Sequence, residues 1–159
     1  MFCSLCVTLF IVLACINPAF ADDAAKKKVL IDAVQYSVDV LEKKGIAGFE
    51  ELKAFRFDGG DGYVFITDMD LVVIMHPVAP ELLNKNYLAI KDSNGKYFGA
   101  EYKAKADKSG EGWTWYSWPN PAKNQQPELK CSYYKVADAK GKKVIVYAAS
   151  YGITQQACQ

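Results

Sequence analysis

The chain has a single histidine among its 159 residues, and no Lys, Arg, Asp or Glu precedes residue 22. One imidazole among scattered carboxylates leaves no ligand cluster for a metal. A Cys-x-x-Cys-His run for haem attachment is also missing. Neither a nucleophile elbow nor a triad context surrounds Ser132 or Cys131, so enzyme readings fail on inventory. A formal net charge of +1 gives no electrostatic footprint for nucleic acid. The densest basic run, Lys26-Lys27-Lys28, reads as the solvated first turn of a helix. No internal repeat is visible. What remains is a non-enzymatic chain without cofactors, whose length fits one domain able to bury its own core.

Residues 1–21 are uncharged, run apolar from Leu5 to Ile16, and finish Ala19-Phe20-Ala21 before Asp22-Asp23. Small residues at the two cleavage-determining positions fit a signal peptide cut after Ala21, leaving residues 22–159 as a single exported domain. The basic n-region is missing, so an uncleaved anchor is the alternative, with a lipid-modified Cys15 as a third reading. Cys3, Cys6 and Cys15 belong to this segment, and Cys3-Ser4-Leu5-Cys6 is therefore no redox motif. Cys131 and Cys158 remain. An oxidising compartment permits a bridge pinning the tail to a strand; the alternative is one buried and one free thiol.

From 24 to 44, Leu30, Ala33, Val34, Val38 and Leu41 recur at helical spacing, and Lys43-Lys44-Gly45 supplies a stop. A shorter helix is predicted over 46–57. Gly59-Gly60-Asp61-Gly62 lacks the lysine-serine signature of a phosphate loop and reads as a loop into a strand. Residues 63–67 and 71–75 form a hairpin around Asp68-Met69-Asp70, where turn chemistry outweighs a calcium loop. A short helix is expected over 96–106. Three further strands are expected over 112–118, 129–137 and 144–151, with a proline-bounded polar loop over 119–127.

Four groups of residues then stand out: Gly62-Tyr63-Val64-Phe65-Ile66-Thr67-Asp68 running into His76-Pro77; Asn84-Lys85-Asn86 with Lys91-Asp92-Ser93-Asn94-Gly95; Tyr116-Ser117-Trp118-Pro119-Asn120-Pro121; and Lys130-Cys131-Ser132-Tyr133. In this order and spacing they resemble a single Cache domain of the second type, the extracytoplasmic sensor of bacterial chemoreceptors and sensor kinases. The likeness spans nearly all of residues 22–159. It implies an α+β, PAS-like fold with a long N-terminal helix packed on a five-stranded antiparallel sheet. It also implies a pocket for small carboxylates or similar metabolites, outside the cytoplasm, in the periplasm or secreted. Two features depart from the family: Leu71 stands where members usually have glycine after the Asp-x-Asp turn, and the usual membrane helix and signalling domain do not follow Gln159. The expectation is a free-standing domain that acts through a partner.

The candidate ligand-binding residues are His76, Tyr116, Trp118 and Lys130, followed by Tyr63, Tyr87 and Tyr133 as hydroxyl donors. A strand-end imidazole donates to a carboxylate when neutral and adds attraction when charged; otherwise it is a structural histidine. Lys130, between Leu129 and Cys131, points to the face opposite theirs, where a carboxylate would stabilise its ammonium; otherwise it is an exposed strand lysine. Trp113 and Trp115 read as core, and Tyr116 and Trp118 as walls of a hollow. The first reading is thus an exported binder of a two- or three-carbon carboxylate, the partners being that small organic anion and a membrane sensor or a second copy. No nucleic acid and no membrane span in residues 22–159 are expected. The alternative is a structural module docking on a membrane sensor or on itself.

Overall fold

The computed structural model describes residues 18–159. Residues 1–17 of the predicted export segment, with its three cysteines, thus fall outside the described residues, and the predicted cut after Ala21 falls within the first helix. Helix α1, Pro18–Lys44, takes the predicted stripe and buries Leu30, Ala33, Val34, Val38 and Leu41 against the sheet. It ends on Lys43 and Lys44, and Gly45 follows at φ +62°, a conformation that costs glycine nothing. A 3₁₀ turn, Gly45–Gly48, and helix α2, Phe49–Ala54, replace the single helix expected over 46–57. Phe55 is already extended, with ψ 132°, so the aromatic run leaves the helix early.

Five strands form one antiparallel sheet in the order β2-β1-β5-β4-β3, where β1 is Val64–Asp68, β2 Val73–Met75, β3 Glu111–Asn120, β4 Gln126–Asp138 and β5 Lys143–Tyr151. The segment read as a loop over 119–127 is strand at both ends, residues 119–120 and 126–127. Pro119 faces Pro127 in register, leaving only residues 121–125 to turn the corner. β3 is the sheet's edge, where a proline's missing N–H removes no ladder bond.

The hairpin between β1 and β2 turns on Asp68, whose Oδ1 accepts from the backbone N–H groups of Asp70 and Val72. Leu71, fully buried, takes φ +63°, the left-handed conformation that glycine adopts freely. β2 accordingly starts at Val73 rather than at 71. The helix expected over 96–106 is α3, Gly99–Ser109. It lies across the face opposite α1 and buries Tyr102 and Ala106.

Period-2 alternation divides the sheet's side chains between two cores. Val64, Ile66, Cys131, Tyr133, Val144, Val146 and Ala148 meet α1. Phe65, Tyr116, Tyr134, Ile145 and Tyr147 face α3 and the long 76–98 connection. Asp92 staples that connection to β3: its carboxylate accepts from the backbone N–H groups of Asn94, Lys96 and Ser117. Burial raises its pKa, but these donors outweigh burial and hold it below the usual carboxylate value. The C-terminal tail returns to the start of α1. Lys26 Nζ donates to the Gly152 carbonyl, and the Asp23 carboxylate accepts from both the N–H and the hydroxyl of Thr154. Cys131 and Cys158 form a disulfide on the α1 side, with Cα atoms 5.8 Å apart.

Candidate functional site

On the α3 face, strand register sets three candidates side by side. Lys130 of β4 lies opposite Tyr116 of β3 on one side and Tyr151 of β5 on the other. Trp118 is two residues along from Tyr116, on the same face. Tyr63 precedes β1, His76 follows β2, and Tyr87 opens the 3₁₀ turn Tyr87–Ala89. The six candidates, without Tyr151 but with Phe65, Phe98, Leu82, Ala79 and Glu81, enclose a hollow of about 120 Å³. That is the room of roughly four waters at about 30 Å³ each. A drug-sized ligand, which occupies a pocket of about 300 Å³ or more, does not fit.

The imidazole is fixed in one tautomer. His76 Nδ1 accepts from the backbone N–H of Ala79 at 3.0 Å and of Val78 at 3.4 Å. The proton therefore sits on Nε2, which becomes a hydrogen-bond donor. Charging the ring would place a second proton against those two donors. Burial, reinforced by the positive charge of Lys130 and only partly offset by Glu81, pushes the pKa down to about 4. Of the two states open to the sequence, the structure selects the neutral donor. The ring stacks on Phe65, centroids 5.3 Å apart.

Lys130 is 8% exposed. Among the described residues its ammonium has neither a carboxylate partner nor a hydrogen-bond acceptor, and it rests over the rings of Tyr151 and Tyr63 at 4.9 and 5.6 Å. Burial lowers its pKa to about 8, so it remains mostly charged at neutral pH. The hydroxyls of Tyr63, Tyr87 and Tyr116 are pushed up by burial first, with Tyr63 adding to the rise at Tyr87, and Tyr87 and Tyr63 adding to that at Tyr116; all three remain protonated donors. Besides the exposed Glu81 carboxylate, the hollow thus offers one cation, a neutral imidazole N–H and phenolic hydroxyls. That set matches a single negative charge with two acceptor oxygens.

Tyr133 is not part of it. Its side chain lies on the α1 face, where the ring packs on Trp113 with centroids 4.9 Å apart and the hydroxyl donates to the Glu111 carboxylate at 3.1 Å. It lies three positions along from Lys130, an odd step along a strand, and the pleat turns it away. Trp113 and Trp115 pack against the same helix-side core. Sequence reasoning missed Phe65, which alternates with Tyr63 and so shares its face. It also missed Phe98 and Glu81, which enter from the 76–98 connection and carry no periodic signal.

A sequence model described as Cache domain matches residues 48–144. The chain belongs to this family. The fold of this Cache domain matches that of a chemosensory Cache domain solved in a study of carboxylic acid recognition, with TM-score 0.70 and 25% identity over 86% of this chain and 99% of that one. A periplasmic sensor domain of a chemotaxis protein gives TM-score 0.67 at 26% identity, covering 83% of this chain and 96% of the other. A methyl-accepting chemotaxis protein from Vibrio parahaemolyticus gives 0.64 at 26%, covering 85% and 97%. In sequence, the methyl-accepting chemotaxis protein McpP of Pseudomonas putida is 34% identical over 85 residues. That stretch is 54% of this chain and 15% of the length of McpP. Among the described residues, no helix is long and apolar enough to cross a membrane.

Proposed function

We propose that this Cache domain works outside the cytoplasm, in the periplasm or secreted, as a sensor that captures a short organic acid of two or three carbons. The observation that carries the reading is the buried Lys130 ammonium, unpaired among the described residues, beside a neutral imidazole donor in a hollow of about 120 Å³. A carboxylate there replaces the missing counter-charge, with one oxygen toward Lys130 and the other toward His76 Nε2 or a tyrosine hydroxyl. The hollow admits a methyl or ethyl group against Phe65, Phe98 and Trp118 and leaves little for a longer chain. The carboxylic acid recognition reported for the similar chemosensory domain supports the same ligand class. Occupancy is passed to a partner, a membrane sensor or a second copy.

Thermal unfolding with acetate, propionate and the uncharged propionamide tests the proposal. At a hundredfold excess over Kd, the acids stabilise the protein by about 2.7 kcal/mol and the amide does not. Lys130→Ala removes the effect; an equal response to acid and amide refutes the reading.

A second reading, docking through α1, is favoured by Val29, Ile31 and Tyr36, which are 37%, 40% and 41% exposed. Sedimentation velocity across a concentration series decides it: a strict monomer whose mass is unchanged by Ile31→Glu rules out self-association.

A further inference from the structure

A second, larger cavity of about 580 Å³ opens beside the hollow. Tyr63, Trp118 and Lys130 line both. Tyr151 lines only the outer one, and its ring centre is 4.9 Å from the Lys130 ammonium. The 8% exposed cation therefore stands at the junction of two chambers and serves either. The wall of the outer chamber also carries two exposed carboxylates, Asp58 and Asp61, neither in an ion pair among the described residues. Their turn is closed by reciprocal backbone bonds between Phe57 and Gly62 at 3.1 and 3.0 Å. A side chain at Gly62 would meet the Phe57 ring at 2.3 Å, so glycine is what lets that ring and the two aspartates share one short turn.

Positive charge at the floor, negative charge at the rim and aromatic rings between them describe a ligand with ends of opposite sign. We propose that the two chambers form one site for a short ω-amino acid. Its carboxylate sits at Lys130, its methylene chain lies along Trp118 and Tyr151, and its terminal ammonium faces Asp58 and Asp61. The same rim repels a second carboxylate, so diacids of equal length are disfavoured. This extension rests on the reading of the hollow as a carboxylate site. Exposed ion pairs contribute modestly, and two of them amount to roughly a threefold to tenfold preference.

Isothermal titration of the protein with propionate, pentanoate, 5-aminopentanoate and glutarate tests it. We expect 5-aminopentanoate to bind about threefold to tenfold more tightly than pentanoate, and glutarate more weakly than either. The preference should shrink in 0.5 M salt. In the Asp58→Asn/Asp61→Asn double variant, 5-aminopentanoate and pentanoate should come within twofold of each other while propionate binds unchanged. Equal affinities in the wild-type protein, or a preference that survives the double substitution, overturn the inference. If propionate binds and the longer series is flat, only this inference falls; if no acid binds, the carboxylate reading falls with it.

Discussion

The Lys130 ammonium helps keep the His76 imidazole neutral, so the cation and the neutral donor are one electrostatic arrangement rather than two independent groups. Burial disfavours charge on both, and the strand that supplies the cation also suppresses a second positive charge across the hollow.

Stability should fall on mild acidification, with a part assignable to His76. Its folded pKa of about 4 lies below the ordinary 6.5, so between these values the unfolded chain binds more protons. Stability drops as pH falls through that window, by about 3 kcal/mol in all, and no further from this group below it. Urea unfolding at pH 7, 6 and 5 measures the slope. His76→Gln, which keeps an acceptor but does not titrate, should flatten it.

Lys130→Met should abolish acid binding and yet stabilise the empty protein. Lowering an ammonium from 10.5 to about 8 corresponds to a burial cost of about 3 kcal/mol, fully present below pH 8 and relieved as pH rises toward 10.5. The wild-type protein therefore gains stability between pH 8 and 10, and the variant does not. At pH 7 the variant's Tm should be several degrees higher. A lower Tm would mean that the ammonium has a partner after all.

Acid affinity should weaken about tenfold per pH unit above pH 8, as the free site loses its proton, and stay flat between pH 6 and 8. Titration calorimetry in buffers of different ionisation enthalpy should show proton uptake on binding above pH 7.5.

Reducing the Cys131–Cys158 bridge should cost about 3 to 4 kcal/mol, the loop-closure estimate for a separation of 27 residues. The hollow lies on the other face of the sheet, so below the new, lower Tm the acid Kd should change less than twofold. Unfolding and titration with and without reductant check both statements.

Gly99→Ala should damage the site from outside it. A side chain at Gly99 would come within 2.4 Å of the Tyr87 carbonyl oxygen, a backbone atom that cannot rotate away. Displacing that turn moves the Tyr87 ring, and a loss of about 1 to 3 kcal/mol in stability with weaker acid binding is expected. Unfolding and calorimetry on the variant measure the two effects.

Much of this was legible in the sequence wherever one period governs a long segment. The stripe from Leu30 to Leu41 has a single helical solution, and the strands around Tyr116, Lys130 and Tyr147 have a single pleat. The same pleat argues against Tyr133 in the site: it shares a run with Lys130, but an odd offset turns it to the other face. Asp58 and Asp61 reach the rim because β1 neighbours β5, which neighbours β4, and strand order is not written in any local pattern. Leu71 shows a different limit. Its left-handed backbone is unfavourable for leucine by about 1 to 2 kcal/mol, and only the buried surroundings of its side chain make that conformation tenable.

Lys130 pairs across the ladder with Tyr151, and the very next carbonyl, that of Gly152, is held by Lys26. One residue beyond the cation's cross-strand neighbour, the chain is therefore tethered to the third turn of α1. On the proposed function, a ligand that neutralises the ammonium would act next to the N-terminal third of this 27-residue helix, where a displacement is carried along a lever instead of being absorbed in its middle.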